Sequence, residues 1–195
     1  VDRAEAPKDF LSALRALSGF LEREKVPHVI IGGVAVALVG RPRTTQDIDA
    51  IVLLGDRPLE AFLEAAHAAG FDTRIPDAAA FARQFRVVLL RHRKSKVGVD
   101  LSVGALPFEE AAVQRARRIL VEDRRIPVAT PEDLIIMKMV ASRSRDIADI
   151  EGVIAANPKL DRRRVRSVVR QFSEVLEMPE MLERLEALLG KRRRR

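Results

Sequence analysis

The sequence predicts an α/β fold (α+β in arrangement): a small mixed sheet with flanking helices, followed by a helical lobe. Three observations predict it. Short runs rich in Val, Ile and Leu alternate with amphipathic stretches up to residue 129. From Thr130 onward only helical periodicity remains. The chain of 195 residues is long enough for one good core or for two small lobes. The expected division is therefore 1–129 for the mixed part with its N-terminal helix, 130–190 for the helical lobe, and 191–195 for a basic tail, read as solvated and disordered.

The elements follow in order. Phe10, Leu11, Leu14, Leu17, Phe20 and Leu21 recur with helical spacing, so residues 8–24 form an amphipathic helix that Pro27 ends. Residues 26–31 suit a short buried strand, which Gly32-Gly33 interrupts. Residues 34–39 make a short helix closed by Gly40, 47–54 a second strand, and 58–69 a helix stopped at Gly70. Residues 86–90 and 97–103 are β-rich runs around a polar stretch, predicting a hairpin. A helix over 107–117 and short strands at 118–121 and 126–129 follow. The helical lobe reads as 131–156, 161–176 and 179–189, with Pro158 and Pro179 as breaks. Its start is well marked: Thr130 as N-cap, Pro131 in the first position and Asp133 near a capping-box role.

Composition narrows the function classes. Hydrophobic residues make up 47% and charged residues 32%, and no stretch approaches the ~20 apolar residues that span a bilayer, so no membrane partner is expected. Cysteine is absent, which excludes disulfides and thiolate metal sites, and His28, His67 and His92 lack ligand spacing. With no signal-peptide layout at the first residues, the expected location is cytoplasmic. The net charge of +7 permits a nucleic-acid partner, but Lys191-Arg192-Arg193-Arg194-Arg195 carries most of it.

The chemistry concentrates in a few positions. Asp47 and Asp49 are two residues apart in a strand pattern, so both carboxylates leave one face of the sheet. Adjacent carboxylates repel, and a divalent cation removes that repulsion; magnesium takes one or two carboxylates plus waters and substrate phosphates. Asp100 lies in another strand pattern; were that strand a neighbour, three carboxylates would converge, as suits two ions in nucleotidyl or phosphoryl transfer. Gly32-Gly33, between a strand and a helix, lets backbone N–H groups approach phosphate oxygens. In the helical lobe, Lys138, Ser142, Arg145 and Asp149 fall on one polar stripe. That stripe suits either a wet cleft or an exposed face held by an Arg145–Asp149 pair.

Gly32-Gly33, Gly40, Arg43, Thr45 and Asp47-Ile48-Asp49 resemble the signature of the polymerase-β-type nucleotidyltransferase superfamily, within it the AbiEii-like and MenT-like toxin group. The resemblance covers residues 26–55 and, more loosely, 95–155. It implies the nucleotidyltransferase fold, Asp47, Asp49 and Asp100 as ligands of magnesium (one or two ions), and Asp100 as acceptor of the attacking hydroxyl's proton. It further implies that Gly32, Gly33, Arg43, Thr45, Lys138 and Arg145 serve the nucleotide, together with Asp146 or Asp149. In most of the superfamily a serine matches Gly33; here that phosphate contact falls to backbone N–H groups or to Thr45. The implied partners are a nucleoside triphosphate, tRNA modified at its 3′ end, and a cognate antitoxin protein. The alternatives are a small-molecule, antibiotic-type nucleotidyltransferase and a non-catalytic nucleotide- or RNA-binding module of the same fold.

Overall fold

A computed structural model describes residues 8–41 and 44–190, so Arg43 and the basic tail 191–195 lie outside the described residues. The described residues fall into two compact units: 8–34 with 44–129, and 35–41 with 130–190.

The first unit is built on a seven-stranded mixed sheet of β1 (His28–Ile30), β2 (Asp47–Val52), β3 (Phe71–Thr73), β4 (Val87–His92), β5 (Gly98–Val103), β6 (Arg117–Val121) and β7 (Arg124–Val128). Their order is β3-β4-β5-β2-β1-β7-β6. The β2–β5 and β1–β7 pairs are parallel and the remaining pairs antiparallel. The expected hairpin is present as β4–β5, and β2 lies against the far side of β5. Helix α1 (Lys8–Arg23) buries Phe10, Leu14, Leu17, Phe20 and Leu21, the stripe its periodicity marks. The Phe20 ring lies 5.6 Å from Phe62 of α3 (Leu59–Ala68) and 6.0 Å from Phe71 of β3, and Phe71 lies 5.2 Å from His92. These rings, with Ile48, Ala50, Leu90, Val99 and Leu101, make the core on one face of the sheet.

Two parts of this unit differ from the sequence expectation. Residues 71–85 hold β3 and α4 (Ala78–Phe85), neither of which the sequence pattern announced. Three residues are too few to display alternation, and α4 starts after Asp77 in a left-handed conformation with no side-chain cap. Gly32 and Gly33 do not precede the next helix but begin it, in the first turn of α2 (Gly32–Val39).

The second unit contains α6 (Pro131–Ala141), α7 (Asp146–Ala156), α8 (Arg162–Val175) and α9 (Glu180–Gly190); α5 (Pro107–Gln114) belongs to the first. Thr130 caps α6 as expected: its Oγ1 accepts from Asp133 N at 3.1 Å, a contact of about 1 kcal/mol. The expected single helix over 131–156 is broken, because Ser142 adopts φ 50° and closes α6. The run Ser142-Arg143-Ser144-Arg145 brings no apolar side chain to hold another helical turn. Gly40 sits where a Cβ would lie 2.9 Å from Val153 Cγ2, so the end of α2 approaches α7 closely, and Asn157 Nδ2 donates to Val39 O at 2.7 Å. Among the described residues no helix is long and apolar enough to cross a membrane.

Candidate active site

The face of the sheet opposite the aromatic core carries the acids. In the β2–β5 pair, Asp49 stands directly beside Asp100, and Asp47 stands beside Gly98. Side chains at directly paired positions of neighbouring strands share a face, so all three carboxylates emerge on one side. The two glycines give them room. A Cβ at Gly98 would collide with Asp47 Oδ1 and stand 3.1 Å from its Cγ. Gly32 has φ +60°, and a Cβ there would lie 2.5 Å from Asp49 Cγ and 2.7 Å from Asp49 Cβ. The chain is held at this distance by the bond from Ile31 N to Asp49 O at 2.9 Å. Backbone therefore passes beside the carboxylate where a side chain would block it.

One further row crosses the face. Leu89 pairs with Asp100, and Arg74 N donates to Leu89 O at 3.0 Å, which carries Arg74 to the same row from beyond β3. Its guanidinium forms a hydrogen-bonded ion pair with Asp100 Oδ1. Sequence reasoning missed Arg74. The signal was present in Phe71-Asp72-Thr73-Arg74, where alternation places Asp72 and Arg74 on the side opposite the buried Phe71. Burial pushes the Asp100 carboxyl above the usual carboxylate range; Arg74 opposes this, and the charges of Asp49 and Asp47 add to it.

The donor set suits a hard divalent cation. Asp47 and Asp49 supply carboxylate oxygens, and Gly32 and Gly98 admit those carboxylates against the backbone, which matches magnesium's use of one or two carboxylates. Among the described residues, no three His, Asp or Glu side chains stand close enough together to hold a metal ion, so the fit rests on Asp47 and Asp49.

Of the other expected nucleotide-binding residues, Thr45 donates its hydroxyl to Asp47 O at 3.1 Å. Gly33 lies in the first turn of α2. In the second unit, buried Lys138 places its ammonium 2.7 Å from Asp146 Oδ1 and 2.7 Å from Asp149 Oδ2. Both aspartates, not one, turn to the lysine. The polar stripe expected along a continuous helix is not formed, because Lys138 lies on α6 and Asp149 on α7, meeting across the turn that Ser142 opens. Arg145 is exposed at the N-terminal end of α7.

No curated protein matches the chain. Among solved structures it is similar to the antibiotic-resistance factor ANT(2'')-Ia, with a TM-score of 0.59 and 14% identity over 88% of this chain and 95% of that one. The same enzyme in complex with adenylyl-2''-tobramycin gives a TM-score of 0.57 and 15% identity over 86% and 98%. An antigenic nucleotidyltransferase-like protein from Paracoccidioides brasiliensis gives 0.58 and 14% over 95% and 99%. At such identities the likeness is one of fold. The family described as nucleotidyl transferase of unknown function (DUF2204) matches residues 10–187, and with that span covering most of the chain, the protein belongs to this nucleotidyltransferase family.

Proposed function

We propose that the protein transfers a nucleoside monophosphate from a nucleoside triphosphate to an acceptor hydroxyl, with Asp47, Asp49 and Asp100 serving one or two magnesium ions. The observation that carries this is the pairing of Asp49 with Asp100, with glycine backbone at Gly32 beside Asp49. The acceptor oxygen attacks the α-phosphorus, the bond to the β-phosphate oxygen breaks, pyrophosphate leaves, and the hydroxyl proton passes to Asp100. Magnesium, when bound, supplies positive charge against the triphosphate. The backbone N–H groups of Gly32 and Gly33 at the start of α2 donate to phosphate oxygens, with Arg43 and Thr45 nearby in sequence. The resemblance also assigns Lys138 and Arg145 to the nucleotide; the Lys138 ammonium is held by Asp146 and Asp149.

The favoured acceptor is the 3′ end of tRNA, in the cytoplasm, as a toxin restrained by an antitoxin. Its support is the resemblance of the glycine and Asp-x-Asp segment; the net charge of +7, most of it in residues 191–195, permits an RNA partner without pointing to one. A small-molecule acceptor is the second reading, favoured by the likeness over 98% of the chain of ANT(2'')-Ia, whose structure holds adenylyl-2''-tobramycin. A non-catalytic module is opposed by the presence of all three aspartates on one face. The test incubates the protein with magnesium, each of four labelled nucleoside triphosphates, and tRNA or aminoglycosides. Labelled tRNA that disappears with Asp49→Ala supports the proposal. Labelling of aminoglycosides alone selects the second reading, and labelling that survives Asp49→Ala removes the metal assignment.

A further inference from the structure

We propose that Arg74 is a positioning residue and a built-in counter-cation for Asp100, holding its Oδ1 while leaving Oδ2 to the reaction, and thereby setting how tightly the site holds a divalent cation. The inference rests on the assignment of Asp47, Asp49 and Asp100 made above, and adds the control of that site.

The geometry is specific. Arg74 reaches Asp100 across a single strand, since its own N–H donates to Leu89 O and Leu89 pairs with Asp100. Its guanidinium engages Oδ1, and among the described residues Asp100 Oδ2 has no hydrogen-bond partner. A second nitrogen, Nη1, lies 3.2 Å from where a Cβ at Gly98 would stand, beside Asp47. Gly98 thus gives space to the arginine as well as to the aspartate. The Arg74 side chain is only 22% exposed.

Three carboxylates on one face repel one another, and an arginine, which remains charged at every working pH, lessens that repulsion. The same charge repels an arriving dication, so the protein trades metal affinity for a fixed Asp100. A fixed carboxylate with one oxygen spoken for presents the other in a defined direction, which a proton acceptor needs. Lysine would keep the charge and lose the planar fork; glutamine would lose the charge and keep a donor.

The test measures Mn2+ binding by electron paramagnetic resonance, without nucleotide, for the wild type, Arg74→Gln, Arg74→Lys and Asp49→Asn, with thermal unfolding of each. Arg74→Gln should bind Mn2+ about tenfold more tightly, the order expected for a unit charge near a divalent ion under near-aqueous screening. Arg74→Lys should stay within about twofold of the wild type, because its charge is retained. In nucleotidyl transfer at saturating metal, Arg74→Gln should lower kcat at least about tenfold with an unchanged KM for nucleotide. Mn2+ affinity that is unchanged in Arg74→Gln while the melting temperature falls would overturn the inference, leaving Arg74 as a fastening of β3 to the sheet. Failure of the underlying assignment looks different: Mn2+ would then bind the wild type and Asp49→Asn alike, or neither.

Discussion

Gly32→Ala is the sharpest probe of how the carboxylate face is built. The residue sits at φ +60°, where an alanine Cβ costs about 1–2 kcal/mol from backbone conformation alone. The new methyl would also stand 2.7 Å from Asp49 Cβ and 2.5 Å from its Cγ. Rotation of Asp49 relieves only the second contact, because Cβ is fixed by the strand, so β2 or α2 must shift. Forced overpacking of this kind adds about 1–3 kcal/mol, giving a combined loss of about 2–5 kcal/mol. Gly55→Ala is the control: φ is +57° and nothing lies within 4 Å of its Cβ, so it carries the conformational cost without the collision. The chain has no Trp or Tyr, so urea unfolding is best followed by far-ultraviolet circular dichroism. Gly55→Ala should lose about 1–2 kcal/mol and keep its activity, while Gly32→Ala loses more and binds Mn2+ more weakly. Equal losses for the two variants, within about 0.5 kcal/mol, would refute the close approach of backbone to Asp49.

Other outcomes follow from the charges and histidines. Lys138→Met leaves Asp146 and Asp149 buried without their ammonium and should cost about 3–5 kcal/mol in unfolding, with partial recovery when Asp146→Asn is added. If Lys138 also serves the nucleotide, Lys138→Arg should raise KM for nucleotide while remaining close to wild type in stability. His28 and His92 are both pushed below the ordinary 6.5, chiefly by burial, so the folded state takes up fewer protons there than the unfolded chain. Their contribution to stability is full above pH 6.5 and is lost as the pH falls through the lowered values, so His28→Gln with His92→Gln should flatten unfolding free energy measured across that window. Reversing Arg163 and Arg170, exposed on the basic helix α8, to Glu should weaken any tRNA binding and flatten its dependence on salt, read by filter binding at several salt concentrations.

Much of the fold is legible in the sequence where burial imposes a period. The α1 stripe, the apolar runs of β2 and β5, and the Thr130-Pro131 helix start all express a local requirement in residue types. Asp47 and Asp49 are visible for the same reason, as polar interruptions in an apolar strand. What was not legible depends on pairing between distant segments. Nothing in residues 86–103 states that β5 has β2 on its other side, in parallel, with Asp49 beside Asp100. Arg74 escaped notice because its role depends on a three-residue strand that exists only by pairing with β4. The break at Ser142 was missed because α6 and α7 each keep helical spacing, and the left-handed turn between them is what allows Lys138 to meet both aspartates.

The parallel pairing of β2 with β5 has a consequence for how the sheet reaches its native form. Slippage of this pair by one residue would turn Asp100 onto the face that holds Val99 and Leu101, and would remove the gap that Gly98 opens for Asp47. A carboxylate forced among those side chains would cost several kcal/mol, roughly the scale of burying an unpaired polar group. The aspartates therefore favour the native register over the one a single residue away. A molecule that has settled in the wrong register loses both the stability of the right one and the alignment of Asp47, Asp49 and Asp100 on one face.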